Sequence, residues 1–387
     1  MLTPFLPLTR PDIDDATIVE VGNVLRSGWI TSGARVQQFE SVLSDFFNKR
    51  PVRCFANGTA TLEAGLRIAQ IGPGDEVITT PISWVATANV ILAVGATPVF
   101  AEIDPITRNL DLNAVAQKIT PRTKAILPVH LAGYPVDMDK LYQLAKAHHL
   151  RVIEDAAQAI GATWQQQRIG ALGDIVSFSF QANKNITSAE GGCLVLNNAS
   201  EAALAEKLRL QGVIRDGLDG MEVEVLGSKA NLSDVHAAIG LGQFKRLEFF
   251  LARRQQLAQR YLDHFADSYA VQNGLQLPID QTANDLPGQG NWHLFQVLLP
   301  LEQLRQSRAQ IMQQLKEHHI GTGVHYPAIH LFKLYRAQGF TSGMLPIAEH
   351  VGQCSLSLPL FPAMQDSDVD RVVNAMDTIF RAAHYSS

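Results

Sequence analysis

Residues 177–192 read SFSFQANKNITSAEGG. Ser177, Phe178, Ser179 and Phe180 alternate polar and apolar side chains, a spacing that predicts a half-buried strand. The strand then breaks into a polar turn carrying one lysine, Lys184. The glycine pair Gly191–Gly192 follows, and CLVLNN reads as a second strand. A lone lysine just past a strand end, braced by small polar residues, suits an amine that forms a Schiff base. Such an amine must be held in one place, and its pKa must fall far enough to leave some free base. Taken alone, a solvated turn lysine is the commoner explanation, so the reading depends on what the rest of the chain brings to that strand end.

The chain has 387 residues, 46% of them hydrophobic, enough for a large buried core and too long for one ordinary domain. Its net charge of −5 comes from interspersed acidic and basic residues, with no basic stripe for nucleic acid. MLTPFLPLTRPDIDD lacks a charged segment followed by an apolar run, and no apolar stretch is long enough for a membrane span. The expectation is therefore a cytoplasmic protein with neither nucleic acid nor membrane as partner. Cys54, Cys193 and Cys354 are odd in number and far apart, which fits reduced thiols, and no metal spacing is present.

Asp14–Ser27 and Ala34–Phe47 read as amphipathic helices, with Ile18, Val21 and Leu25 as the apolar face of the first. Val36, Phe39, Val42, Leu43 and Phe46 form that of the second. Between them lies SGWITSG, a glycine-bracketed loop that displays Trp29. From Val52 short apolar runs alternate with helical stretches: VRCFA, EVITT, PVFAEI, KAILPV and RVIEDA are each followed by a helix-like or turn-rich segment. This pattern implies βαβ units and a mainly parallel sheet covered on both faces. Ligands of such sheets gather beyond the carboxyl ends of the strands. That rule selects Asn57–Ala60, Ser83–Trp84, His130, Asp155–Gln158 and Ser179–Lys184. Past Leu196 the chain reads as helical, with long helices over Leu232–Phe250 and Leu251–Phe265 and a loop over Asn273–Asn291. The expected division is a large domain over residues 1–252 and a smaller α+β domain over 253–387.

Asn57-Gly58-Thr59-Ala60-Thr61 follows a strand and opens a helix. Gly58 allows close approach, Thr59 is a candidate cap, and free N–H groups at a helix start favour a phosphate. The absence of GxGxxG and of a Walker-type GK[ST] at this place argues against dinucleotides and nucleoside triphosphates. Asp155 ends its strand where a carboxylate could meet a cationic ring nitrogen, or could merely cap the next turn. Trp84 could stack on a planar group, or be core. A phosphate cradle, an aromatic face, a strand-end carboxylate and a braced lysine form the set that pyridoxal phosphate (PLP) requires.

The stretches SGWITSG, NGTATLEAGL, GDEVITTPISWVATANVI, VIEDAAQAIGA, SFSFQANKNITSAEGG and SLPLFPAM resemble the DegT-type sugar aminotransferases along essentially the whole chain. Within that family ITPRTKAILPVHLAG, WHLFQV, HHIGTGVHYPAIH and CSLSLPLFP are similar to the branch that makes UDP-4-amino-4-deoxy-L-arabinose. The resemblance implies an α/β fold, that of the fold-type I PLP-dependent transferases. It implies Lys184 as the Schiff-base lysine, Asp155 as partner of the pyridinium nitrogen, and Gln158 beside the ring hydroxyl. Trp84 becomes the stacking aromatic, and Thr59, Ala60 and Ser179 the phosphate ligands. In this family a further phosphate contact comes from the partner subunit, from a stretch often written GYNYR. Here it reads Gly227-Ser228-Lys229-Ala230-Asn231, which assigns Lys229 and Asn231 to the neighbour's cofactor and lacks both tyrosines. His325, Tyr326 and His330 fall in a region near the substrate, and Trp29 is a further substrate-side candidate.

The implied activity moves the amino group of L-glutamate onto a keto sugar and releases 2-oxoglutarate, in a homodimer with shared sites. A nucleotide-linked 4-keto pentose of the UDP type is the first choice of acceptor, for cell-surface polysaccharide or lipid A sugars. A free keto sugar acid such as 8-keto-3,8-dideoxy-octulosonate is the alternative. Sugar dehydratases of similar fold carry histidine where Lys184 stands. A PLP-binding regulator without turnover is the remaining alternative, against which the short segment before the first motif leaves no room for a DNA-binding module.

Overall fold

In the computed structural model, which describes residues 4–283 and 286–385, the alternating segments after Pro51 become strands and helices in strict succession. The strands are β1 (Val52–Phe55), β2 (Glu76–Thr79), β3 (Thr97–Phe100), β4 (Thr123–Leu127), β5 (Arg151–Asp155), β6 (Ile175–Ser179) and β7 (Gly192–Val195). Two helices, α1 (Asp15–Ser27) and α2 (Ala34–Phe46), precede them, and α3 (Gly58–Ile68), α4 (Ala86–Ala93), α5 (Leu112–Lys118) and α6 (Met138–Ala147) lie between the first five strands. The strands form one seven-stranded sheet in the order β1-β7-β6-β5-β4-β2-β3. All neighbours from β6 to β3 are parallel, while β7 runs against both β1 and β6. The reversal goes with the connection. The twelve residues 180–191 that join β6 to β7 fold as a turn and form no helix of the kind a parallel crossover usually uses. The expected mainly parallel sheet with flanking helices is therefore present, with one reversed strand beside the lysine turn.

β6 differs from its predicted half-buried state. Ile175 to Phe178 are all buried. Phe178 stacks on Phe47 with centroids 4.8 Å apart. Ser177 faces the other way, onto α3, where its hydroxyl meets that of Thr61 at 2.6 Å. The alternation is real, but its polar face is turned to a helix and satisfied there rather than by water.

The apolar face assigned to α1 is also corrected. Thr17 and Val24 are its buried residues, whereas Ile18 and Leu25 are more than half exposed. The reason lies in α8 (Asp234–Lys245). A Cβ on Gly242 would come within 2.1 Å of Thr17 Oγ1, so the two helices touch at a glycine and a threonine. Asp234, at the start of α8, accepts the N–H groups of Gly33, Arg35 and Val36 and so caps α2.

Beyond β7 the chain is less helical than expected. Between α7 (Ala199–Arg209) and α8 it makes a hairpin, β8 (Val213–Asp216) and β9 (Gly220–Val223), that the sequence reading missed. The next helix, α9 (Leu247–Ala266), begins four residues earlier than the predicted break at 250/251. The chain leaves helical geometry at Arg246 (φ −104°, ψ 5°), whose guanidinium pairs with Asp12 at 2.7 Å. Phe250 of α9 packs with the sheet core, and Leu257, Tyr261 and Phe265 pack in a second core. The expected 252/253 division thus falls within α9. The second core is completed by β10 (Phe295–Leu298), α10 (Arg308–Glu317), β11 (Ser355–Leu358) and α12 (Asp366–Tyr385), with α11 (Pro346–Cys354) packed nearby in a cluster of its own. β10 and β11 form an antiparallel pair.

One close approach fixes where β7 starts. A Cβ on Gly192 would lie 2.7 Å from the Phe178 carbonyl oxygen and 2.8 Å from the Gly58 nitrogen, both backbone atoms that cannot rotate away. Gly192→Ala is therefore expected to cost roughly 1–3 kcal/mol of folding free energy through overpacking. Urea unfolding of the variant against the parent measures this, and coincident midpoints would show that the backbone yields.

Candidate active site

The strand-end rule converges on a cleft of about 400 Å³. β5 supplies Asp155 and the residues after it, β6 supplies Ser179, and the turn that follows supplies Lys184. The start of α3 brings Gly58 and Thr59, and Trp84 and Thr87 flank the start of α4. Val324, His325 and Tyr326, which follow the bridge of Gly323 to Ser357 of β11, form a further wall.

Asp155 is 6% exposed. Its carboxylate accepts the Thr87 hydroxyl at 2.8 Å and the Ala157 N–H at 3.1 Å. Because Thr87 donates to Asp155, the Ser83 hydroxyl, 2.8 Å away, donates to Thr87, and the relay has one direction. Burial raises the Asp155 pKa, and the hydrogen bonds of Thr87 and Ala157 and the charge of Lys184 oppose that rise. Asp155 thus does both things considered for it: it holds the next turn and offers a buried carboxylate to the cleft. Burial also lowers the Lys184 pKa to about 8, with Asp155 partly offsetting the fall. The turn is closed on both sides of the lysine: Lys184 N–H bonds to Gln181 O, and Ser188 N–H and the Thr187 hydroxyl bond to Phe180 O. Lys184 is half-buried and lines the cleft rather than standing in open solvent.

At α3 the cap is Asn57, not Thr59: its side chain accepts the Ala60 N–H at 2.8 Å. That uses the Ala60 N–H, so the expected phosphate contact from Ala60 is corrected to its neighbours. The Gly58 and Thr59 N–H groups make no hydrogen bond among the described residues. A Cβ on Gly58 would lie 2.9 Å from Ser179 Cβ, so only glycine lets the first turn of α3 sit against the end of β6. The result is two free N–H groups, a helix dipole and the hydroxyls of Thr59 and Ser179 in one place, an arrangement suited to a phosphate.

Trp84 is 62% exposed, so it is not core, and its ring lies 6.3 Å from that of Tyr326. Gln158 accepts the Ala132 N–H at 2.7 Å and donates to the Tyr326 hydroxyl at 3.1 Å. His325 Nδ1 lies 2.9 Å from Ser357 Oγ. Burial and the charge of Lys184 lower its pKa to about 4, so at neutral pH the ring is uncharged.

Besides Ala60, four predicted residues lie outside the cleft. His330 is fully buried with Nε2 3.0 Å from Glu349 and packs under Phe100, so it faces no ligand space. Trp29 is 63% exposed and ties its Nε1–H to Ser32 O. Asn231 donates to the Ser32 hydroxyl at 2.6 Å, and the Lys229 ammonium donates to the Asn231 side chain. Trp29, Lys229 and Asn231 therefore share one outer face of the chain. The sequence reading missed Thr87, the second residue of α4, although a hydroxyl there faces the same strand ends. It also missed His130 as a buried partner: Nδ1 accepts the Val136 N–H, so Nε2 carries the proton toward Glu154 at 3.0 Å.

The donors and acceptors fit PLP. Gly58, Thr59 and Ser179 offer the anion cradle, Asp155 a carboxylate for a ring nitrogen, Trp84 a face, and Lys184 an amine of lowered pKa.

Comparison with known proteins agrees. The DegT/DnrJ/EryC1/StrS aminotransferase family matches residues 11–377. The spore coat polysaccharide biosynthesis protein SpsC of Bacillus subtilis is 39% identical, with 98% of each chain covered. Among solved structures, PseC of Helicobacter pylori, an aminotransferase of pseudoaminic acid biosynthesis, superposes with a TM-score of 0.90 at 29% identity, covering 98% of this chain and 100% of that one. NtdA from Bacillus subtilis, solved with its cofactor PMP, gives 0.86 at 33% identity, covering 98% and 85%.

A buried ammonium with a lowered pKa penalises the cofactor-free fold. Below pH 8 Lys184 is charged in both folded and unfolded chains, and the folded chain carries the desolvation cost. Between about 8 and 10.5 only the unfolded chain is protonated, so stability from this group rises with pH. Cofactor-free Lys184→Met is therefore expected to melt above the parent at pH 7, with the gap closing toward pH 10.5. A gap that does not change with pH would show that the amine is solvated.

Proposed function

We propose that this chain, which belongs to the DegT/DnrJ/EryC1/StrS aminotransferase family, moves the amino group of L-glutamate onto a keto sugar, with a UDP-linked 4-keto pentose as acceptor. That it is a PLP-dependent aminotransferase follows from the family. The observation that carries the residue assignment is the meeting of Lys184, Asp155 and the α3 N-terminus in one cleft. Support for a sugar acceptor in surface polysaccharide synthesis comes from SpsC and PseC, whose names place them in polysaccharide and pseudoaminic acid biosynthesis. The choice of a pentose, for lipid A or another glycan, rests on sequence resemblance, and the three unpaired cysteines accord with work in the cytoplasm.

Bound PLP supplies an aldehyde carbon for the amino group and a protonated ring that draws electrons from the donor's α-carbon. The chain does the rest. The α3 N–H groups of Gly58 and Thr59, with the Ser179 hydroxyl, hold the phosphate. Asp155, fixed by Thr87 and Ala157, keeps a proton on the ring nitrogen. Trp84 covers the ring face and excludes water. Lys184 Nζ, with a pKa near the working pH, takes the proton from the donor α-carbon and later returns one to the sugar carbon that receives the amine. One lysine serves both halves, so ping-pong kinetics are expected. His325, uncharged, and Tyr326 offer hydrogen bonds to sugar hydroxyls.

The outer face belongs to a proposed homodimer. Ile18, Val19, Leu25, Trp29 and Ile30 are all exposed there, an apolar surface better suited to a second copy than to water. Lys229 and Asn231 border Trp29 through Ser32, and a two-fold contact would bring that cation to the neighbour's phosphate.

The acceptor is tested by loading the enzyme with pyridoxamine phosphate and offering UDP-linked 4-keto pentose, other nucleotide keto sugars and 8-keto octulosonate. Amination of the UDP sugar alone supports the assignment, and amination of only the free acid overturns it. Asp155→Asn is expected to retain the cofactor while turnover falls about 100-fold or more, because the amide cannot hold the ring proton. Normal turnover would reduce Asp155 to a turn cap. Mixing inactive Lys184→Ala and Lys229→Glu chains after dissociation should restore activity in the half of the mixed-dimer sites that are intact. No recovery despite demonstrated exchange would mean that each chain completes its own site.

A further inference from the structure

Arg108 is 5% exposed and meets no carboxylate among the described residues. It follows β3 in a turn that Asp104 builds: its Oδ1 accepts the Ile106 and Thr107 N–H groups, and its carbonyl accepts the Arg108 N–H at 2.8 Å. Arg108 takes a left-handed backbone conformation, φ 61°, which is unfavourable for a non-glycine residue. The side chain that results crosses from the sheet to β10. There Nη1 donates to both oxygens of Gln296, to the carbonyl at 2.7 Å and to Oε1 at 3.0 Å.

A guanidinium only donates, so Gln296 Oε1 is fixed as acceptor and Nε2 must point the other way. It points to the backbone carbonyl of His325, to which it donates. Gln296 is 2% exposed, so water offers neither end an alternative. A pair of apolar side chains would join sheet and β10 without burying a charge. What the arginine and the amide add is direction, and that direction ends on the cleft wall. His325 and Tyr326 have other anchors, Ser357 on the imidazole and Gln158 on the phenol, but only Gln296 grips the backbone between those two side chains.

We propose that Arg108 and Gln296 are positioning residues that hold the His325–Tyr326 wall in register with the sheet and so set the fit of the larger acceptor. The proposal rests on the cleft being the aminotransferase site.

Gln296→Glu separates positioning from packing. It keeps two oxygens for Arg108 and adds a counter-charge, but it cannot donate to His325. The protein with PLP added is crystallised in both forms, and both are assayed as the pyridoxamine phosphate form with UDP-4-keto pentose and with 2-oxoglutarate. The expected result is melting no lower than the parent, a wall shifted by about 1 Å, and kcat/KM for the sugar down about 10–100-fold. With the small 2-oxoglutarate it should stay within about twofold, since a wall set back from a small acceptor removes little contact. A wall that superposes on the parent overturns the proposal whatever the kinetics, and equal losses with both acceptors overturn the role in acceptor fit. If the parent aminates no UDP sugar, the acceptor assignment fails, and the crystal comparison still decides the positioning. Should Gln296→Glu fail to fold, the apolar double variant Arg108→Met/Gln296→Met carries the same comparison.

Discussion

Burying an amine and a carboxylate in one cleft is the constraint on which the rest of the structure depends. Burial moves Lys184 and Asp155 toward their neutral forms from opposite directions. Their attraction alone does not undo that, so the carboxylate needs further support. Thr87 and Ala157 give it directly, and Ser83 stands behind Thr87. Lys184 receives no such set of partners. The asymmetry suits the proposed roles: a group that holds a ring proton should stay ionised, and a group that carries protons should sit near the working pH.

That cleft can exist only because three backbones come closer together than side chains permit. The reversed strand β7 brings Gly192 against Gly58 and the Phe178 carbonyl, and Gly58 in turn lies on Ser179. A parallel partner in place of β7 would have required a long crossover, and the lysine would have left the strand edge with it. Reversal, glycine contact and lysine turn are therefore one feature seen at three levels. The same packing leaves the first N–H groups of α3 aimed at the space where the hydroxyls of Ser179 and Thr59 also lie.

How much of this was legible in the sequence depended on the range of the interactions involved. Strands β1 to β7 and helices α3 to α6 could be read because their periodicity is local and their partners follow in order. So could Lys184, Asp155, Ser179 and Trp84, since strand-end position alone brings them together. The exposed face of α1 could not. Ile18 and Leu25 are apolar and spaced as a core stripe, and only the glycine at 242, over 200 residues away, shows that Thr17 is the inward residue. His330 misled for a similar reason. It lies five residues after His325, but the chain between them turns it onto Glu349 beneath Phe100. Asn57 displaced Thr59 as cap because both residue types cap well, and only the backbone decides which of them precedes the helix.

Chemistry and selectivity are carried by different parts of the molecule. In the proposed reaction one lysine handles two dissimilar substrates in turn, so the groups around it cannot be shaped for either one. The anion cradle, Asp155 and Lys184 all come from the sheet and the segments next to it, whose geometry is fixed by the glycine contacts. Discrimination has to come from surfaces that meet only the distal part of a substrate. In this chain the short segment Val324–Tyr326 is one such surface. Tyr326 is buried in an apolar cluster that also holds Ile82, Leu131 and Leu294. Hydrogen bonds fix the segment further, to Ser357 on β11, Gln158 after β5, and Gln296 on β10. Two of these three lead back to the sheet, through Gln158 itself and through Arg108. The wall's alignment with the lysine therefore depends on that packing and on both links together.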